Sequence, residues 1–189
     1  THTILFSSAF LSGLCVLLFK LKFSKNLRLL ISFSGAFLLA ISVLHLIPEI
    51  YHDYSEKIGI YILIGFLLQL LLEFFSNGIE HGHFHSHNKK LLAFPYAIFI
   101  SLCIHSFIEG MALVNSHSHS HANHSLLTGI VIHKIPIAIV LSTMLVNKHI
   151  PKIIFIVGIF IFSISAPLGL YLASNELSEV IGNKSILMA

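Results

Sequence analysis

The chain has 189 residues, 56% of them hydrophobic and only 10% charged, with a mean hydropathy of +0.90. Soluble domains carry about 25% charged residues, so this composition excludes an ordinary water-soluble domain. The formal net charge of +3 is small and gives no reason to invoke nucleic acid.

Six apolar stretches are long enough to cross a bilayer, for which roughly 17–25 residues suffice. They run over about 3–19, 29–50, 58–76, 92–114, 125–147 and 151–173. So little chain lies outside them that the expected fold is all-α: one polytopic transmembrane helical bundle over residues 1–189. Span 1 is long and lacks a basic leader, which reads as a true helix rather than a signal peptide. The start at Thr1 without Met predicts a processed chain or a fragment. Cys15 and Cys103 lie mid-span and read as small packing residues. Gly13, Gly35, Gly65, Gly110, Gly129, Gly158 and Gly169 sit inside spans, as close helix packing in lipid allows.

Basic residues set the orientation. Lys20, Lys22, Lys25 and Arg28 follow span 1, Lys89 and Lys90 follow span 3, and Lys148 and Lys152 follow span 5. The opposite side has only Lys57 and Lys184. The lysine-rich side is predicted to be cytoplasmic, with the N-terminus outside. The Ile-, Phe-, Lys- and Asn-rich composition points to a bacterial source and hence the inner (plasma) membrane.

Polar residues inside the spans carry the functional signal, because ionisable groups at membrane depth face a bundle interior or a pathway. His45 and Glu49, four apart near the outer end of span 2, read as an entry point. Gln69 and Glu73, four apart near the inner end of span 3, read as an exit. A His-rich cytoplasmic loop is expected at 77–90, with His81, His83, His85 and His87 alternating. A second such loop, external, is expected at 115–124, with His117, His119, His121 and His124. Alternating imidazoles in a flexible loop suit auxiliary capture of Zn, Cu or Ni; the other reading is a polar connector.

Span 4 holds His105-Ser106-Phe107-Ile108-Glu109-Gly110. His105 and Glu109 are four apart and project from one helix face, where an imidazole and a carboxylate can grip a divalent ion. The alternative is a His–Glu hydrogen bond that serves packing alone. Gly110 permits close approach of a neighbouring helix. Span 5 holds His133-Lys134-Ile135-Pro136, and the missing N–H of Pro136 predicts a kink beside His133. Spans 4 and 5 share a short connection and are expected to be antiparallel neighbours, which brings His133 to His105 and Glu109. Three protein ligands leave a fourth position for water, Ser106 or the moving ion's next ligand. Lys134 reads as a tethered cation paired with Glu109 or Glu73, standing where a second metal would sit; the alternative is a snorkelling lysine. Span 6 contains no carboxylate, and the terminal Lys184–Ala189 predicts the start of a further helix.

The chain resembles the ZIP family of divalent metal transporters. The stretches that carry the likeness are Gly35 to Glu49 ending in HLIPE, HSFIEG in span 4, HKIP in span 5, the His-rich tract after span 3, and Ala166-Pro167-Leu168-Gly169 in span 6. HxxxEG followed by HxxP on the next helix is the most specific of them. The resemblance implies an eight-helix bundle, six spans of it present here, that forms a homodimer with outward termini. It also implies a transport site between helices 4 and 5, and movement of Zn²⁺, or in some members Fe²⁺, Mn²⁺ or Cd²⁺, toward the cytoplasm. Its primary site maps onto His105, Glu109 and His133. Departures are Ser106 where members often have Asn, Ile137 where many have Glu, and Lys134 where two-metal members have an acid or amide. An intramembrane zinc-dependent hydrolase is the rival reading. It needs a general base beside metal-activated water, and the chain has no HExxH. A metal-sensing membrane protein without transport is the third.

Overall fold

The structure is a computed structural model, and it describes residues 1–19, 25–53, 58–76, 95–114, 120–148 and 150–187. All regular structure among these residues is helical. The elements are α1 (His2–Phe19), α2 (Lys25–Ile41), a π turn (Ser42–Leu46), α3 (Ile47–Asp53), α4 (Ile58–Ser76), α5 (Tyr96–Met111), α6 (Ser120–Asn147) and α7 (Lys152–Leu187). Five stretches are long and apolar enough to cross a bilayer: His2–Phe19, Asn26–Tyr51, Ile58–Phe75, His124–Asn147 and Lys152–Asn175. The chain is thus an all-α polytopic bundle.

Several boundaries differ from the sequence reading, for local reasons. The fourth span is shorter than 92–114, because α5 ends at Met111. There Leu113 N–H bonds the Gly110 carbonyl and Val114 N–H the Met111 carbonyl, the three-residue turns that close a helix. Helix α6 begins at Ser120, so 120–124 belong to it and not to a flexible external loop. Helix α7 continues through Leu187, so residues 184–187 belong to it. The expected loop at 77–90, with His81, His83, His85 and His87, lies outside the described residues, as do His117 and His119.

The break in span 2 follows from Pro48. Its ring cannot accept the usual helical register, and just before it the Ile47 N–H bonds the Ser42 carbonyl five residues back. Helix α6, in contrast, stays helical through Pro136, and α7 through Pro167.

Helix α6 is the centre of the bundle: α1 and α2 pack along it, while α7 lies against α1 and α5. The main neighbour of α5 is α7, not α6 as chain order suggested. Glycines fix that choice. A Cβ at Gly110 would meet the Ala166 carbonyl, and one at Gly169 would meet the Phe107 carbonyl, so the two backbones touch in both directions. At Gly13 of α1 and Gly129 of α6 a Cβ would meet side chains instead, Ile159 of α7 and Leu38 of α2. Gly35 and Gly65 do not, since nothing lies within 4 Å of a Cβ added at either.

Two apolar clusters occupy the interior. One gathers Leu27, Ile31, Leu102, Ile137, Leu141, Phe155 and Phe162. The other gathers Leu5, Ile41, Leu113, Leu126, Ile130, Ala166 and Leu170. On each of α2, α6 and α7 the two clusters use different ends of the helix, while α5 feeds the first and Leu113, just past its end, the second. Between them along the helices lie the polar residues Ser34, His105, Ser106, Glu109, His133 and Lys134.

Candidate metal centre

Helix periodicity sets the first two ligands. His105 and Glu109 stand one turn apart on α5, with His105 Nε2 3.3 Å from Glu109 Oε1. His133, on α6, brings its Nε2 to 4.0 Å from the same oxygen. Ligand atoms of the three residues all lie within 4.8 Å of one another. The edges of a tetrahedral zinc site with bonds near 2.05 Å are about 3.3 Å, so the triad stands close to a gripping geometry. Glu109 Oε1 is buried and accepts no hydrogen bond, which leaves its lone pairs for a cation.

Each histidine is held from behind. His133 Nδ1 lies 2.9 Å from Ser34 Oγ, on α2. The Ser34 hydroxyl itself donates to the Ile31 carbonyl at 2.9 Å, so the imidazole Nδ1–H is the donor in the first contact. His105 Nδ1 donates to Gln69 Oε1 of α4 at 3.1 Å. A proton on Nδ1 leaves Nε2 as the lone-pair nitrogen, and both Nε2 atoms face Glu109.

The other carboxylate oxygen is occupied. Lys134, only 1% exposed, donates to Glu109 Oε2 at 3.0 Å and to Ser106 Oγ at 2.8 Å. Its Nζ also lies 5.7 Å from the centre of the Phe162 ring, within cation–π range. Of the two carboxylates expected to pair with this lysine, Glu109 is the one in contact. Ser106 is therefore engaged with the ammonium.

The remaining residues singled out from the sequence are placed elsewhere. Gln69 touches His105 at the polar layer. Glu73, one turn further along α4, is half-buried and outside the triad. His45, in the π turn, is exposed, and Glu49 is half-buried; neither joins the triad. His124 is exposed in the first turns of α6, and His121 lies in the same turns. The sequence reading missed Ser34. A serine in an apolar helix was the available signal, but nothing in its spacing ties it to a histidine 99 residues away.

A family model described as ZIP Zinc transporter matches residues 81–185, more than half of the chain, including α5, α6 and most of α7. Comparison with curated proteins and with solved structures gives no match.

Proposed function

The chain belongs to the ZIP zinc transporter family, and from that premise we propose that it carries Zn²⁺ toward the cytoplasm through a site formed by His105, Glu109 and His133. Family membership makes it a membrane transporter of divalent metal and weighs against the hydrolase reading. The observation that carries the finer reading is the convergence of two imidazole lone pairs on an oxygen of Glu109 that accepts no hydrogen bond. Three acceptors facing one another in a buried layer repel unless a metal cation, or a proton on one of the imidazoles, lies between them. Two nitrogens and one oxygen suit zinc better than the harder divalent ions. Movement toward the cytoplasm is what the family resemblance implies; the lysine-rich face supports only which side of the bundle is cytoplasmic.

The ion is cargo, so the site must bind and also let go. Lys134 supports the second requirement. With Glu109 already balanced by an ammonium, a bound Zn²⁺ adds two uncompensated charges to a low-dielectric interior. That weakens binding relative to a site with the carboxylate alone.

Reconstitution of the full chain in sealed vesicles, with zinc supplied on one side at a time, tests the reading. His105→Ala and His133→Ala are expected to abolish saturable zinc uptake without reducing membrane insertion. Normal uptake in either variant removes that residue from the site.

A further inference from the structure

The two hydrogen bonds behind the histidines come from helices that contribute no ligand. Ser34 is on α2 and Gln69 on α4, and both lie outside the stretch that the family model matches. These helices are also the least enclosed: 17% of the apolar stretch of Asn26–Tyr51 and 6% of that of Ile58–Phe75 are buried, against 72% for His124–Asn147. Glycines do little to lock α4 in place: a Cβ at Gly65 would meet nothing, and one at Gly59 would meet the Tyr51 hydroxyl at the start of the helix. Polar bonds to α5 hold it instead, Ser101 Oγ donating to the Leu72 carbonyl at 2.6 Å and His105 Nδ1 to Gln69. One of those rungs is thus a ligand of the proposed site.

We propose that Ser34 and Gln69 are positioning residues: they fix His133 and His105 as Nδ1–H tautomers, and so make zinc affinity depend on where α2 and α4 sit against α5 and α6. The inference rests on the site assignment above. An acceptor on Nδ1–H makes Nε2 more basic and stops the ring from turning. Withdraw the acceptor by moving its helix, and the imidazole is left to rotate or to exchange its proton to Nε2, where no lone pair then faces the ion. Affinity and helix position are linked, and linkage runs both ways: zinc must in turn hold α4 against α5.

The test uses the full chain, purified and reconstituted, with Zn²⁺ as the probe. Ser34→Ala and Gln69→Leu should each weaken zinc binding by about 10–100-fold and raise the half-maximal uptake concentration more than they lower maximal rate. Ser34→Thr, which keeps the hydroxyl, should restore affinity to near that of the parent. A nitroxide at Phe74→Cys, on the exposed face of α4, with Cys15 and Cys103 replaced by Ala, should lose mobility when zinc is added. Gln69→Leu should abolish that response. Parental affinity in both variants overturns the inference, as does a loss in Ser34→Thr equal to that in Ser34→Ala. If affinity stays parental in both while His105→Ala abolishes binding, the transport site stands and only the positioning role fails. Parental binding in His105→Ala would instead sink the site itself.

Discussion

Helices α6 and α4 are nearly alike in hydropathy, yet 72% of the apolar stretch of one is buried and only 6% of the other. In water such a contrast would follow the amount of apolar surface. In lipid it cannot, because apolar side chains gain nothing by leaving the acyl chains for the protein interior. What separates the two helices is what else they carry. Helix α6 holds His133, Lys134, Ser142 and Thr143, all buried, and Pro136 in mid-course. The face of α4 toward lipid is Ile60, Leu63, Phe66, Leu67, Leu70 and Phe74. In this bundle polar groups mark the interior and small residues mark the crossings, and the comparison makes three predictions.

The largest effect should come from a single methyl group. Gly110→Ala places its Cβ on the Ala166 carbonyl, a backbone atom that cannot swing aside. Overpacking costs about 1–3 kcal/mol where side chains can yield; here two backbones would have to part, so most of the folded protein should be lost. The same change at Gly65 meets nothing, so it should be neutral or gain up to about 1 kcal/mol from helix propensity. Folded yield and thermal midpoint in detergent measure both. Equal losses at the two sites would show that α4 is as tightly enclosed as α5 and α7.

A smaller effect is expected at the ion pair. Lys134→Met keeps the volume but strands Glu109 without its ammonium, and breaking a buried pair costs about 3–5 kcal/mol when nothing replaces the lost charge. Zinc can replace it. The variant should therefore be less stable than the parent without metal and should gain more stability from added zinc. Lys134→Asp goes further: with two carboxylates in the layer, bound metal per chain should rise from one toward two. Identical zinc-induced stabilisation in parent and Lys134→Met would mean that the ammonium and the ion do not share Glu109.

The sequence reveals part of this arrangement and hides the rest, for reasons that follow from the chemistry. Helical class and approximate spans are plain from the length of the apolar runs. The shared face of His105 and Glu109 follows from their spacing, and the depth of His133 and Lys134 from their place in a span. Helix pairing is not legible in that way. An apolar helix in lipid has no periodic polar face, so α5 gives no sign that it packs on α7 until Gly110 and Gly169 are seen to match. Ser34 and Gln69 are hidden for a different reason. Their hydrogen bonds reach 99 and 36 residues along the chain, and no local pattern records a contact between helices. The π turn at Ser42–Leu46 could have been suspected from Pro48 alone.

The smallest effect should come from the histidines around the start of α6. His117, His119, His121 and His124 alternate much as metal ligands would, yet they differ from the buried triad in two physical respects. The triad's imidazoles are oriented by Ser34 and Gln69, while His124 is exposed to solvent. The tract also runs into the amino-terminal turn of α6, which starts at Ser120. That end of a helix carries the positive pole of its dipole, which disfavours a cation by about 0.3–1 kcal/mol at an exposed position. Capture there should be weak and release fast, as expected of an auxiliary collector rather than of the site itself. Replacing all four by Ser should raise the zinc concentration for half-maximal uptake by less than about tenfold, the factor that 1.4 kcal/mol represents. Maximal rate should hardly change, because the buried triad is untouched. Complete loss of transport would overturn the contrast between an organised interior and an auxiliary rim, since it would place an essential ligand among these four histidines.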